Sequence, residues 1–502
     1  MLKHSRHTLT IVILCLALVI SVFIAKPLIK TRAVGTPQDT LSPTSGPPGS
    51  VFTITGTGFT PNDSVSIYFD TTLLTTLTAS TTGTFSLNLS VPLLAQPGNH
   101  TVQASGQNSW PPTQATFLVR TNWAMYGSGP EHRGVNASEN VLTPANVSGL
   151  AQDWIYTTEG DIYTSPAVVN GILYVGSNDG KLYALEAATG AYMWSYTTQG
   201  AINSSPAVVN GIVYVGSDDH KMYALNAMTG KRKWSYTTGG AVDSSPTLIN
   251  GVVYFGSADY KLYALDALTG TLKWSYTTGS AIITTPAVAN GMVYIGSDKV
   301  YALDAVTGAL KWSYAIGKPI ITSPAVSATG LIYIGSDKMY ALNSTKGTLK
   351  WSYTPGSGCA IDSMPAVLNN VVYFGTNGGR YDGCAANIFA VNATTGATVW
   401  STFVGEEYSI KSTPVLANGL VYINSNDFDH TLTPSFFTDW FALDATNGNL
   451  LWGHKDSNSP SDGMPNSVPP SPVVVNGVFY IGSIVGDHDL YALHVPGTTL
   501  KV

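Results

Sequence analysis

Charge is what this sequence has least of. Only 11% of its 502 residues are Asp, Glu, Lys or Arg, against about 25% in typical soluble proteins. The 24 basic and 30 acidic residues leave a formal net charge of −6, and no cluster of Lys or Arg occurs beyond the N-terminal segment. Nucleic-acid binding needs such a basic footprint, so that class is excluded. No acidic run is long enough to act as a solvated tail. Cysteine is nearly missing, with Cys15, Cys359 and Cys384 as the whole complement, which excludes a disulfide-dense miniature scaffold. The HExxH, CxxC, GxSxG and phosphate-loop patterns are all absent, removing the common metalloprotease, dithiol, hydrolase and nucleotide-binding readings. The stretch from Asn424 to Asp429 lacks the central Gly and distal Glu of a calcium loop, so no metal is expected there.

What is present is apolar, small and turn-forming. Hydrophobic residues make up 44% of the chain and glycine alone contributes 50 residues, enough for a large core cut by many turns. Lys3, His4, Arg6 and His7 precede an unbroken apolar stretch from Leu9 to Ala25, and Lys26, Lys30 and Arg32 follow it. Residues 1–33 therefore read as a targeting segment, either a cleaved signal or a retained membrane anchor. Such export places the protein outside the cell or at its surface. In that oxidising setting Cys359 and Cys384 are expected to form one disulfide, the alternative being two buried thiols.

Residues 34–50 are rich in Pro, Gly, Ser and Thr and read as a linker. Short alternating runs then follow between turn signals across residues 51–120, a pattern predicting a small immunoglobulin-like β-sandwich. Residues 121–153 form a lead-in. From 154 to 502 the chain repeats itself. A Ser- or Thr-Pro step, or a near equivalent, marks each unit at Pro166, Pro206, Pro246, Pro286, Pro324, Pro365, Pro414 and Pro472, and the first four are spaced by 40 residues. Each unit holds four strand-like runs, with an Asn-Gly pair commonly joining the first two, as at Asn170-Gly171. A period near 40 with four strands per unit predicts a β-propeller of eight blades. The fold class is therefore all-β, a propeller behind a sandwich. Trp154 precedes the first full unit and the last unit has no Trp of its own. The strand carrying Trp154 is thus expected to complete the last blade and close the ring, which also protects sheet edges.

The recurrent Tyr-Ala-Leu-Asp-Ala-x-Thr-Gly-x-x-x-Trp unit, as from Tyr263 to Trp274, resembles the tryptophan-docking motif of pyrroloquinoline-quinone (PQQ) repeat propellers, a repeat architecture of the broad WD40/YVTN-like kind. The opening at Ser42 to Phe59 resembles IPT/TIG-like immunoglobulin-like domains, which act as spacers. The lead-in from Trp123 to Asn136 is similar to what precedes quinoprotein-like propellers. The resemblance implies that Trp154, Trp194, Trp234, Trp274, Trp312, Trp351, Trp400 and Trp452 pack on small residues of neighbouring blades. It implies two functional directions: quinoprotein dehydrogenases, with PQQ and calcium in the central channel, and a cofactor-free propeller of outer-membrane assembly. The adjacent cysteine pair of the dehydrogenases is missing here, which points away from redox chemistry.

Loop spacing suggests where a ligand binds. The connections between strands one and two and between three and four hardly vary. Those between strands two and three lengthen to 16, 19 and 11 residues in blades six, seven and eight, against 9 or 7 earlier, and the connection into blade eight lengthens to 20 from 12. In antiparallel blades both variable connections emerge on one face, so the insertions gather there. The candidate ligand face comprises Arg380, Tyr381 and Asp382 of blade six, Asp427, Asp429, His430, Phe436, Phe437 and Trp440 of blade seven, and Asp487, His488 and Asp489 of blade eight. Its aromatic and carboxylate side chains suit a protein or glycan ligand. The expectation is a monomeric, non-catalytic binding or scaffolding protein without a cofactor, touching a membrane only through its N-terminal segment. The alternatives are a PQQ-dependent dehydrogenase and a carbohydrate-active enzyme or glycan binder.

Overall fold

The computed structural model describes residues 35–318, 320–356, 359–377, 384–405, 409–429, 435–455, 470–483 and 488–498. Residues 1–33, the expected targeting segment, lie outside the described residues. The described chain forms two compact units. The first is a sandwich. One sheet holds Gln38–Ser42, Val51–Thr57 and Phe85–Ser90, and the other orders Ser45–Gly46, Thr113–Val119, Gly98–Gly106, Ser64–Phe69 and Thr72–Thr78. Alternation sets the inner face: Phe52 and Ile54 point inward from one strand and Val65, Ile67 and Phe69 from another. The stretch expected as a linker is a correction. Gln38–Ser42 pairs antiparallel with the strand that begins at Val51, because its polar side chains cost nothing on a sheet whose backbone groups need partners.

The second unit is the propeller. Each repeat folds into one antiparallel sheet whose four strands lie in chain order, as with Ala167–Val169, Ile172–Gly176, Lys181–Glu186 and Tyr192–Thr197 in blade 1. Eight such sheets form among the described residues, and the seventh gains a short fifth strand, Val135–Asn136. The second strands are buried beyond their first residue, and Ile172–Gly176 is buried throughout, since both faces pack on other blades. Asn170 and Gly171 adopt φ of 55° and 77°, the left-handed pair that a two-residue hairpin turn requires. Ala151–Thr157 pairs with Asp489–His494, with Trp154 opposite Ala492, so the ring closes as the offset of the tryptophans predicts.

Adjacent blades are fastened by one repeated contact. The indole N–H of Trp194 donates to the Ala227 carbonyl of the next blade at 3.0 Å, and the Tyr174 hydroxyl donates to the same oxygen at 3.1 Å. The indole lies on Gly230, where an added Cβ would stand 2.6 Å from the ring. Indoles from Trp154 to Trp400 repeat the bond. Blade 8 offers His494-Val495-Pro496-Gly497 where the others have Asp-Ala-x-Thr-Gly or a close variant. There the hydroxyl of Tyr422, buried, has no hydrogen-bond partner.

A second fastening uses the glycine that ends strand two. A Cβ on Gly256 would lie 2.3 Å from Ile282 Cγ2, in the connection to the next blade. Hydroxyls before the prolines add a third. Ser165 N–H donates to Ser205 Oγ, Ser205 N–H to Ser245 Oγ, and Ser471 N–H to Ser165 Oγ, each at 2.9 Å, carrying the chain of bonds across the closure. Gly256→Ala is therefore expected to destabilise the propeller by about 1–3 kcal/mol through overpacking. Ile282→Ala in the same chain should return part of that loss. Urea midpoints of the two single variants and the double variant check this through their non-additivity.

Candidate functional site

Within its sheet the first strand of each blade pairs with strand two alone, except in blade 7, where Val135–Asn136 takes the other side, and the first strands of successive blades 1 to 8 touch one another. Their unpaired edges face the propeller axis and need hydrogen-bond partners. The chain supplies them itself. Trp123 exchanges both backbone bonds with Val168 of blade 1 at 2.8 Å, and the Ala124 carbonyl accepts from Val208 of blade 2. The carbonyls of Pro130, Glu131, Arg133 and Gly134 accept from Val288, Val326, Val367 and Leu416 in blades 4 to 7. His132 Nε2 meets Thr247 Oγ1 of blade 3 at 3.0 Å, and Asn136 Nδ2 donates to the Val474 carbonyl of blade 8. The lead-in thus contacts all eight blades and forms a plug across the axis. Gly134, at φ +68°, has no room for a side chain, since a Cβ would lie 2.8 Å from the Pro414 carbonyl. His132 is fully buried, and burial drives its pKa from 6.5 to about 3. Asn122 and Thr121 bond to Asn170 and Asn476 in the strand one-to-two turns, so the plug sits toward the face of invariant turns.

The opposite mouth is polar. Three residues before the blade prolines stand Tyr163, Asn203, Asp243, Ile283, Ile321, Asp362 and Lys411 of blades 1 to 7. Asn203 Nδ2 lies 3.2 Å from Asp218, and the Asp243 carboxyl is close enough to act on Asp218 electrostatically. Burial, then the neighbouring Asp243 carboxyl, pushes the Asp218 pKa up to about 7. Between blades 6 and 7, Asp362 is raised by burial and Lys411 lowered by it, each partly restored by the other's charge. A cavity of about 570 Å³ opens between blades 5 and 6, lined by Lys318, Ile321, Asp337, Lys338, Cys359 and Asp362 among others. The Cys359–Cys384 disulfide forms as expected and ties the cavity wall to the blade 6 insertion.

Of the sequence-predicted ligand face, Arg380, Tyr381, Asp382, His430 and Asp487 lie outside the described residues. The blade 7 insertion is an extended hairpin, Leu420–Asp429 against Ser435–Asp444, which carries Asp427, Asp429, Phe436 and Phe437 in its strands. Trp440 is corrected from ligand face to core: it is 1% exposed and packs against His454, Phe479 and Tyr491. His488 Nδ1 bonds Asp161 at 2.8 Å and Asp489 accepts from Thr157, so both brace the ring closure. Reading the sequence missed the mouth residues and the plug. The mouth recurs at a fixed offset from each proline and was there to be found by aligning the repeats; the plug works through carbonyls, which leave no side-chain signature.

The family model described as outer membrane protein assembly factor BamB, a PQQ-repeat model, matches residues 150–285, 280–423 and 383–495. The chain belongs to this BamB-type PQQ-repeat family. The IPT/TIG domain model matches residues 39–119. Among solved structures, the chain resembles a europium-containing methanol dehydrogenase (TM-score 0.62, 14% identity, 74% of this chain and 98% of that one). It also resembles the quinohemoprotein alcohol dehydrogenase of Comamonas testosteroni (0.60, 16%, 76% and 81%) and BamB of Moraxella catarrhalis (0.54, 18%, 69% and 99%). At these identities the likeness is one of fold. No curated protein sequence matches the chain.

The similar structures include both quinohemoprotein alcohol dehydrogenase and BamB, so the fit of a quinone is judged from the residues present. At the plugged end the edge amides that could meet a ligand are occupied by the chain's own carbonyls. Among the described residues no three His, Cys, Asp or Glu side chains converge as metal ligands.

Two buried groups give opposed pH dependences. Asp218 binds its proton more tightly folded (about 7) than unfolded (3.8), so its contribution to stability falls as pH rises between those values. His132 binds its proton less tightly folded (about 3) than unfolded (6.5), so its contribution rises with pH across that window. Asp243→Asn relieves the first effect alone. Urea midpoints from about pH 4 to about pH 8 should then climb more steeply than in the wild type, and the neutral-pH midpoint should rise. An unchanged profile would show that Asp243 does not raise the Asp218 pKa.

Proposed function

We propose that the chain is an exported, non-catalytic binding propeller that holds a protein or glycan partner on its open face, with the immunoglobulin-like domain as a spacer. The observation that carries this reading is the plug from Trp123 to Asn136, which spends the axial hydrogen-bonding edges on the chain itself. The face opposite the plug has the longest insertions, the cavity between blades 5 and 6 and the disulfide that braces it. The disulfide supports an oxidising compartment. The name of the matching family, an assembly factor of the outer membrane, favours a protein partner.

The test is a titration of the full chain with PQQ, with and without calcium, read by tryptophan fluorescence and equilibrium dialysis. The expected outcome is no calcium-dependent binding at micromolar quinone. Stoichiometric, calcium-dependent binding would replace this reading with a quinoprotein oxidoreductase.

A further inference from the structure

The plugged end carries a cation that the open-face reading leaves unused. Arg120 directly precedes the lead-in, and its backbone N–H donates to the Gly46 carbonyl at 3.1 Å. Ser45 and Gly46 pair with Leu118 and Val119. By its packing the segment Ser45–Gly49 belongs to the second compact unit, as does everything from Leu118 onward. Within that unit a cavity of about 410 Å³ opens to solvent, with Arg120, Ser45, Asn122, Asn136, Ser138 and Asn170 in its wall. A cavity of that size holds a small molecule.

In a chain so poor in charge, Arg120 has no anion. Its guanidinium makes one side-chain hydrogen bond, from Nη2 to Ser45 Oγ, and that bond is long at 3.5 Å. Burial lowers its pKa, and no neighbouring carboxylate offsets the effect. Among the described residues no ion pair includes it, and no Asp or Glu lines the cavity. Glu139, beside Ser138 in sequence, directs its carboxylate to the amides of Val141, Leu142 and Gly477. The remaining guanidinium nitrogens, Nε and Nη1, are open to solvent. A guanidinium presents five N–H donors in a fixed fork that matches a carboxylate or a phosphate.

The neutral part of the wall is held in place by bonds that leave donors over. Asn122 Oδ1 accepts from the Asn170 N–H at 3.0 Å, so the Asn122 amide nitrogen stays unused. Asn136 Oδ1 accepts from the Ser138 N–H at 3.1 Å while its Nδ2 is bonded to Val474, and the Ser138 hydroxyl is left over. An amide and hydroxyls beside an unpaired fork complement a molecule that joins an oxyanion to hydroxyl groups.

We propose that the cavity at Arg120 is an oxyanion site, which takes the carboxylate or phosphate of a small polyhydroxylated molecule on the guanidinium and its hydroxyls on Asn122 and Ser138. This goes beyond the open-face reading and lies at the opposite end of the propeller, so either stands if the other fails.

The full chain and its Arg120→Gln and Arg120→Lys variants are titrated calorimetrically with glucuronate, glucose 6-phosphate and uncharged glucose. The expected result is saturable binding of one acid per chain, weakened at least about tenfold by Arg120→Gln. Arg120→Lys should fall between, since it keeps the charge and loses the fork. Binding of glucuronate alone assigns the site to a carboxylate, of glucose 6-phosphate alone to a phosphate, and of both to either group. Arg120→Gln removes one long hydrogen bond and should keep the urea midpoint of the full chain. Should it fail to fold, Asn122→Asp retains the acceptor for Asn170, sets a carboxylate in the same wall and is expected to abolish acid binding. Binding of neither acid, acid binding that these variants retain, or glucose bound as tightly as the acids overturns the proposal.

Discussion

The ring depends on an indole laid over glycine. Each tryptophan from Trp154 to Trp400 buries an aromatic face on the next blade and gives its N–H to a carbonyl there, so one side chain supplies both packing and direction. The glycine beneath has positive φ, as at Gly230 with 67°, which makes the turn and the docking surface the same residue. Trp452, expected to dock likewise, packs on Phe479 with no docking glycine beneath it. A tyrosine hydroxyl shares the acceptor, as Tyr214 and Trp234 share the Ala267 carbonyl. Repetition makes the contact cooperative, because each blade is at once the dock for one neighbour and the donor to the other.

That dependence explains which departures matter. The early blades keep the docking unit nearly unchanged and have the shortest loops. Blade 8 loses the docking turn, and the seam it shares with blade 7 is where the Tyr422 hydroxyl, the Asn424 amide and the Trp440 indole lack partners. Local consistency fails where a fold is given over to something other than stability. The hydrophobic fill on that seam is also the heaviest, with Trp440, Trp452 and Phe479 in one cluster.

Most of the architecture was legible because side chains carry it. The prolines set the period, Asn-Gly pairs set the hairpins, and the offset of Trp154 predicted the closure strand against Asp489–His494. Two cysteines beyond the N-terminal segment left one simple pairing, which forms. The site was less legible. Trp440 reads as a loop aromatic until the register places it opposite Asn424, because an insertion that extends two strands looks in sequence like one that makes a loop. Gln38–Ser42 reads as a linker because an edge strand needs backbone partners more than apolar side chains. Asp218 and Asp243 lie far apart in the repeat pattern and meet only when two blades stand side by side.

The plug also has a kinetic meaning. Thr121 bonds Asn476 across 355 positions of sequence, and Asn136 reaches Val474 across 338. Contacts of such separation are slow to form, because the intervening loop must close first. The segment that seals the axis therefore leaves the ribosome early and waits for the last blade before it can seat. Until then the inner edges of the early blades remain exposed to any strand that can pair with them. Assembly of the ring and sealing of its axis thereby become one late event, which waits for the C-terminal blade.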